Sequence, residues 1–167
     1  DDKQHGLTII AFIGSVFSPY YAWSGWCDPE NHCAMNVALY RAGRDRWAMP
    51  ERGRASLSRT QSNITIGSSS MRWDGEALRL EIDEWIAPLP ARVRGVVTLR
   101  PQAINEPTYT LAAHAKHHWR PIAPRARIDA RFDDGALAWS GDKNSVERLT
   151  IGSMAKWTLA TNASRDK

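Results

Sequence analysis

Three segments of the chain alternate apolar with charged or polar residues, and this pattern restricts the fold more than any other feature of the sequence. The apolar members are Leu78, Leu80 and Ile82 in the first segment, Val93, Val97 and Leu99 with Gly95 on the same face in the second, and Ile128, Ala130 and Phe132 in the third. Successive side chains of a β-strand point to opposite faces, so a period of two is typical of strands with one face on a core.

Other segments extend the β pattern. The apolar run at residues 7–13 predicts a strand buried on both faces, and residues 32–40 predict a further strand. Asp74-Gly75 between alternating segments predicts a tight hairpin. No window of helical period is long enough to predict a helix, and nine prolines and 11 glycines agree with that. The expected fold is all-β, an antiparallel barrel or sandwich.

Composition narrows the class of protein. A chain of 167 residues with 43% hydrophobic and 24% charged residues suits one globular domain. The longest near-apolar stretch, residues 7–17, is shorter than the ~20 residues a spanning helix needs. No basic region precedes an apolar one at the start, so we expect no secretion signal and free thiols at Cys27 and Cys33.

The charge balance gives one weak alternative. Twenty-two Lys and Arg oppose 18 Asp and Glu, a net charge of +4. This favours anionic surfaces slightly, and on charge alone a nucleic-acid-binding β-barrel is an alternative hypothesis. Many of the arginines lie at residues 41–59 beside acidic residues, which is typical of a solvated loop. The five histidines and two cysteines lack structural zinc spacings, so no metal site is expected.

Aromatic residues form the most unusual constellation. Residues 15–23 hold four of them around one proline, residues 117–121 combine histidines with Trp119, and Trp139 precedes Asp142 by three positions. The plain interpretation is that the rings are core and the acid caps a turn. The functional interpretation is an aromatic cavity for a long apolar ligand, where rings stabilise a carbocation and a buried Asp stays protonated.

Several motifs carry a family resemblance. They are the block Gly-Ser-Val-Phe-Ser-Pro-Tyr-Tyr at 14–21, Asp-Pro-Glu-Asn-His-Cys at 28–33, Arg-Trp-Asp-Gly at 72–75 and Trp-Arg-Pro-Ile-Ala-Pro at 119–124. With them the chain resembles the carotenoid 1,2-hydratase (hydroxyneurosporene synthase) family, in order from residue 1 to about residue 141. The expected domains are therefore a hydratase domain over 1–141 and a divergent tail over 142–167.

The resemblance implies both a fold and a reaction. The fold would be a lipocalin-like β-barrel or sandwich with an apolar cavity, incomplete at both ends. The reaction is that of a hydro-lyase without metal or organic cofactor, adding water to the terminal double bond of acyclic carotenoids such as neurosporene and lycopene. An Asp protonates the alkene, a tertiary cation forms, and water captures it. The partners implied are the carotenoid, water and membrane lipid at a peripheral contact, with no nucleic acid, at the cytoplasmic side of the inner membrane.

The resemblance also assigns site residues. His117 would orient water or the acid, Trp119 would be a cavity wall or cation stabiliser, and Asp142 would be the acid. Phe17, Tyr20, Tyr21 and Trp139 are the expected substrate-binding rings. The family motif Trp-Ser-Gly-x-Gly-Tyr-x-Asp-x-Asn lacks its Gly-Tyr here, because Asp142-Lys143-Asn144 follows Gly141 at once. Either four residues are deleted and Asp142 is the acid, or the resemblance ends at Gly141. The alternative is therefore a catalytically dead module that binds a hydrophobic ligand.

Overall fold

The computed structural model describes residues 5–41, 45–86, 88, 90–105, 108–110, 118–119, 122–123, 125–133 and 138–141. The chain divides into two compact units. One comprises Asp1–Arg100 and Arg127–Val146, and the other Pro101–Ala126 and Glu147–Lys167. His117 and Asp142 lie outside the described residues. The expected domain boundary at residue 141 coincides with the last described residue, so it stays a prediction.

The first sheet of the larger unit is built around its second strand. It contains β1 (His5–Ile13), β2 (Cys33–Arg41), β3 (Arg46–Ala48) and β4 (Glu51–Arg52). β2 runs antiparallel to β1 on one side and pairs with β3 and β4 on the other. β2 confirms the strand that the sequence predicted over residues 32–40, and its residues from Cys33 to Leu39 are buried.

The prediction that residues 7–13 form a strand buried on both faces is half wrong. The strand exists as β1, but its side chains are only partly buried and Ile10 is 37% exposed. β1 ends the described strand order of its sheet, so its far side has no described neighbouring strand. The central strand β2 has the two-sided burial that the apolar run predicted for β1.

The second sheet of the larger unit has seven strands, in the order β13-β12-β9-β8-β7-β6-β5. Their ranges are β5 (Leu57–Arg59), β6 (Asn63–Ile66), β7 (Ser69–Trp73), β8 (Leu78–Ile86), β9 (Ala91–Pro101), β12 (Ala126–Phe132) and β13 (Ala138–Gly141). The second unit contributes the short antiparallel pair β10 (Tyr109–Thr110) and β11 (His118–Trp119). All pairings given by register are antiparallel, and within the described residues no strand closes either sheet. The all-β prediction is confirmed, with open sheets consistent with a sandwich.

Burial follows the alternation read from the sequence. On β8, β9 and β12 the residues buried at every second position are Leu80, Ile82 and Ile86, then Val93, Val97 and Leu99, then Ile128, Ala130 and Phe132. Burying such side chains contributes about 25 cal/mol per Å² of apolar surface, so these faces supply much of the folding free energy. Glu84 is a charged residue on the buried face of β8, between Ile82 and Ile86.

The predicted hairpin at Asp74-Gly75 is also confirmed. β7 and β8 pair up to Trp73 and Leu78, and Gly75 has a φ of 104°, which favours glycine. The Asp74 carboxylate accepts hydrogen bonds from the amides of Glu76 and Ala77. These bonds to the ionised form hold the pKa of Asp74 below its usual value.

Helical structure is confined to short pieces in the described residues. They are helix α1 (Pro19–Trp23) and two 3-10 turns at Pro29–Asn31 and Arg54–Ser56. None of the helices found in the described ranges is long and apolar enough to cross a bilayer.

Candidate functional site

The connection between β1 and β2 holds three of the expected substrate-binding residues. We call residues 14–27 the aromatic loop. Its base is closed by the backbone, because the amides of Gly14 and Ser15 both donate to the carbonyl of His32, at 3.1 and 2.8 Å. Gly14 has a φ of 77°, and a Cβ there would lie 2.8 Å from the Pro29 Cβ. Glycine is therefore required where the loop leaves the sheet.

Helix α1 forms inside this loop for local reasons. Ser18 precedes it in extended conformation, and its Oγ accepts a hydrogen bond from the Tyr21 amide at 2.9 Å. Pro19 takes the first helical position, where a missing amide hydrogen is harmless. Ser24 ends the helix and donates its hydroxyl to the Tyr21 carbonyl at 2.8 Å. Five residues are thus fixed as one turn.

Tyr21 points inward from α1 and anchors the loop. Its ring is 4% exposed, meets Trp26 edge-on at a centroid distance of 5.1 Å, and lies 5.0 Å from the His32 ring. Burial raises the pKa of the Tyr21 phenol, and the nearby Cys27 and Asp28 add to the rise. The phenol therefore stays protonated at neutral pH.

Phe17 and Tyr20 point the other way. Each is 64% exposed, and Trp23 beside them is 78% exposed. Tyr20 and Trp23 contact each other edge to face at 5.4 Å, and Phe17 contacts Phe12 of β1 in the same manner at 5.6 Å. Two of the expected substrate-binding rings thus lie on an outer surface, whereas Tyr21 lies inside.

A histidine–carboxylate pair lies beneath the aromatic loop. His32 Nδ1 is 2.5 Å from Glu51 Oε1, and both side chains are largely buried. The Tyr21 ring lies against the His32 imidazole, so Tyr21, His32 and Glu51 form one cluster. Such a pair can hold or pass a proton. The sequence prediction missed it because Glu51 lies 19 residues beyond His32, although His32 falls in one of the family motifs.

Ion pairs fix the segment that follows the aromatic loop. Arg54 binds both Asp28 and Glu30, and Arg59 Nη2 lies 2.6 Å from Glu30 Oε1. The Arg54 amide also donates to Asn31 Oδ1 at 3.2 Å. Asp28 has a φ of 55°, an uncommon backbone conformation for a residue other than glycine. The carboxylates of Asp28 and Glu30 at the base of the loop are therefore neutralised by the guanidinium groups of Arg54 and Arg59.

Glu84 forms a second buried polar cluster. Its carboxyl is fully buried, accepts from Arg52 Nη2 at 2.6 Å, and accepts from the Ser69 hydroxyl at 2.6 Å. Ser69 Oγ in turn accepts from the Asp83 amide at 3.0 Å. Burial raises the pKa of Glu84, while Ser69 and Arg52 act in the opposite direction. The alternation of β8 places position 84 on the same face as Leu80, Ile82 and Ile86, but it does not indicate which residues pair with the Glu84 carboxyl there.

A cavity of about 300 Å³ lies in the larger unit. Its lining is Leu39, Arg46, Arg92, Val93, Arg94, Phe132 and Asp133. This volume is at the lower end of the ~300–1,000 Å³ usual for ligand sites. None of the expected site residues is part of its lining. The cavity is rich in guanidinium groups, unlike the aromatic cavity expected from the sequence.

The remaining expected site residues are placed only by backbone or not at all. Trp119 pairs with Tyr109 in the β10–β11 ladder, and Trp139 pairs with Ala130 between β12 and β13. His117 and Asp142 are not among the described residues, so the catalytic assignment stays a prediction. In the part of the chain that is described, no three His, Cys, Asp or Glu side chains come together as metal ligands.

Comparison with known proteins assigns the family. A family model described as carotenoid hydratase CrtC matches residues 9–162. The chain belongs to the carotenoid hydratase family. The match includes the aromatic loop, the His32–Glu51 pair, and all the expected site residues from Phe17 to Asp142. It also continues past residue 141 into the segment expected to be divergent.

Curated members of the carotenoid hydratase family agree. The chain is 50% identical over 144 residues to an acyclic carotenoid 1,2-hydratase of Thiocapsa roseopersicina, and 49% identical over 146 residues to one of Rubrivivax gelatinosus. Each alignment covers 84% of this chain and 36% of the relative. A Rhodobacter capsulatus enzyme of the same name is 36% identical over 95% of this chain and 58% of its own length. The chain thus spans about a third to just over half of these relatives, and no solved structure matches it.

Proposed function

We propose that this chain forms part of an acyclic carotenoid 1,2-hydratase. Membership of the carotenoid hydratase family over residues 9–162 carries the proposal. The reaction adds water across the terminal carbon–carbon double bond of a substrate such as lycopene or neurosporene. One proton goes to the less substituted carbon, a water oxygen binds the tertiary cation, and that water releases a proton. Atoms and charge balance without a cofactor.

The proposed roles follow the motifs of the family. Asp142 donates the proton, His117 orients the water or the acid, and Trp119 stabilises the cation by its π face. Phe17, Tyr20, Tyr21 and Trp139 contact the polyene. Tyr21 faces inward and Tyr20 faces outward, which supports different contacts for the two rings. Tyr21 would contact the substrate beside the His32–Glu51 pair, and Tyr20 would contact it at the outer surface.

The substrate defines where such an enzyme works. A long polyene hydrocarbon dissolves in lipid rather than in water, since transfer of apolar surface to water is unfavourable. We therefore propose a peripheral contact with membrane lipid, at the cytoplasmic side of the inner membrane.

The test is product formation in cells that accumulate lycopene or neurosporene. The chain is expressed there, and the mono-hydroxylated carotenoid is sought by liquid chromatography with mass detection. We expect the product with the natural sequence, none with Asp142→Asn, and an unchanged yield with Asp133→Asn, a matched change at the end of β12.

Two outcomes would contradict the proposal. Folded protein without product would leave the binding-only alternative, in which the chain takes up carotenoid without hydrating it. Product from Asp142→Asn at the natural rate would remove Asp142 as the acid.

A further inference from the structure

The aromatic loop exposes apolar side chains where a solvated loop would be polar. Val16, Phe17, Tyr20, Trp23 and Trp26 are between 47% and 78% exposed, and all lie within residues 16–26. Residues 6–27 contain no Asp, Glu, Lys or Arg. Single exposed apolar residues are ordinary, but five large ones within 11 consecutive positions of one loop, two of them in contact as Tyr20 and Trp23 are, indicate a surface that binds something.

The chemistry of these side chains indicates the kind of partner. Trp and Tyr are the residues enriched at the boundary between hydrocarbon and water, because their rings are apolar and carry one polar group. Here Tyr20 and Trp23 point outward from the same short helix, three positions apart. We propose that the aromatic loop is the surface by which this protein docks on the interfacial region of a lipid bilayer.

The charges around the loop favour an electrically neutral lipid surface. Asp28 and Glu30 are the acidic residues next to the loop, and they pair with Arg54 and Arg59. In this cluster two negative and two positive groups cancel, and Glu51 beneath the loop is largely buried against His32, so among the described residues the base of the loop has no exposed group of unpaired charge that requires anionic lipid. Docking therefore depends on burial of the rings rather than on anionic lipid.

The loop is also preorganised for docking. The Ser18 cap, the buried Tyr21 ring and the hydrogen bonds to the His32 carbonyl fix its backbone. Binding then needs little ordering of the chain, which would otherwise oppose association. This inference rests on the proposed function, because a polyene substrate dissolved in the bilayer is the reason for the protein to bind there.

The test uses the whole chain and vesicles of pure phosphatidylcholine without carotenoid, so it is independent of hydration activity. Co-sedimentation measures the partition coefficient, and brominated lipids report ring insertion by quenching of tryptophan fluorescence. We expect binding that persists at about 1 M salt, where the Debye length is about 3 Å. Trp23→Ser should weaken it about tenfold, because one exposed ring no longer enters the interface.

Trp85→Ser is the matched control, since Trp85 is 50% exposed but lies on β8. It should bind like the natural chain. Circular dichroism confirms that both variants fold, as expected for exposed positions. The inference is overturned if folded chain does not bind these vesicles, if binding needs anionic lipid and vanishes with salt, or if Trp23→Ser and Trp85→Ser behave alike. Loss of hydration with retained vesicle binding would instead contradict only the proposed function.

Discussion

At the scale of single residues, the Glu84–Arg52 pair is an ion pair whose carboxylate is buried in the larger unit. Glu84 is completely buried, and Arg52 is the cation that compensates its charge. Arg52→Met should lower the free energy of unfolding by about 3–5 kcal/mol, since it leaves a buried carboxylate without its partner. Urea denaturation measures the change.

An exposed pair on the same strand provides the control. Arg79 Nε lies 3.0 Å from Glu81 Oε1, with both side chains about half exposed. Arg79→Met should cost no more than about 1 kcal/mol, because solvent screens such a pair. Adding Glu84→Leu to Arg52→Met should recover part of the loss. Equal effects of Arg52→Met and Arg79→Met would show that burial does not set the strength of the Glu84 contact.

The loss of unfolding free energy in Arg52→Met should depend on pH in a defined direction. Burial raises the pKa of Glu84 above its ordinary value, and loss of the Arg52 cation raises it further. Below the ordinary pKa the carboxyl is neutral in both folded and unfolded chain, so the deficit of Arg52→Met is smallest there. As the pH rises through the folded pKa, the carboxylate must ionise while buried, and the deficit grows. Denaturation of both proteins across about pH 4–8 measures it, and a deficit independent of pH would refute this assignment.

At the scale of elements, Gly95 sets how closely β9 and β12 approach. A Cβ at Gly95 would lie 2.4 Å from Phe132 Cδ1 and 2.6 Å from the Arg131 carbonyl. Gly95→Ala should therefore destabilise the fold by about 1–3 kcal/mol, although alanine suits a strand better than glycine does elsewhere. Thermal unfolding measures the loss. Gly95→Ala should cost less stability in a chain that already carries Phe132→Leu than in the natural chain. A neutral or stabilising Gly95→Ala would contradict the close packing.

The elements also show what the sequence can and cannot predict. The strands β8, β9 and β12 were predictable because alternation is a local signal. Burial of β1 was mispredicted since a strand's place in the sheet depends on pairings that its own residues do not encode. Glu84 and the His32–Glu51 pair were missed for a related reason. Each acid finds its partner across 32 or 19 positions of sequence, and only the fold brings them together.

At the scale of the whole molecule, the net charge of +4 suggests a basic protein, but the described arginines are mostly compensated. Ion pairs join Arg54 and Arg59 to acids of the loop base, Arg92 and Arg94 to Asp83, and Arg100 to Asp129. These ion pairs reduce the positive charge that is available to release counterions from a nucleic-acid backbone, although Arg92 and Arg94 share the single carboxylate of Asp83. The charge excess is therefore weaker evidence for a nucleic-acid partner than its total indicates.

This gives a prediction for the charge-based alternative. Fluorescence anisotropy with a labelled single-stranded oligonucleotide should show only weak binding at about 50 mM salt, and the logarithm of the affinity should depend little on the logarithm of the salt concentration. Arg100→Gln, which leaves Asp129 with one fewer cation, should not change that slope. A steep slope, equivalent to several neutralised phosphates, would reinstate the nucleic-acid hypothesis. Phosphatidylcholine vesicles in parallel separate the two classes of partner, because insertion of the aromatic loop should survive the salt that abolishes phosphate contacts.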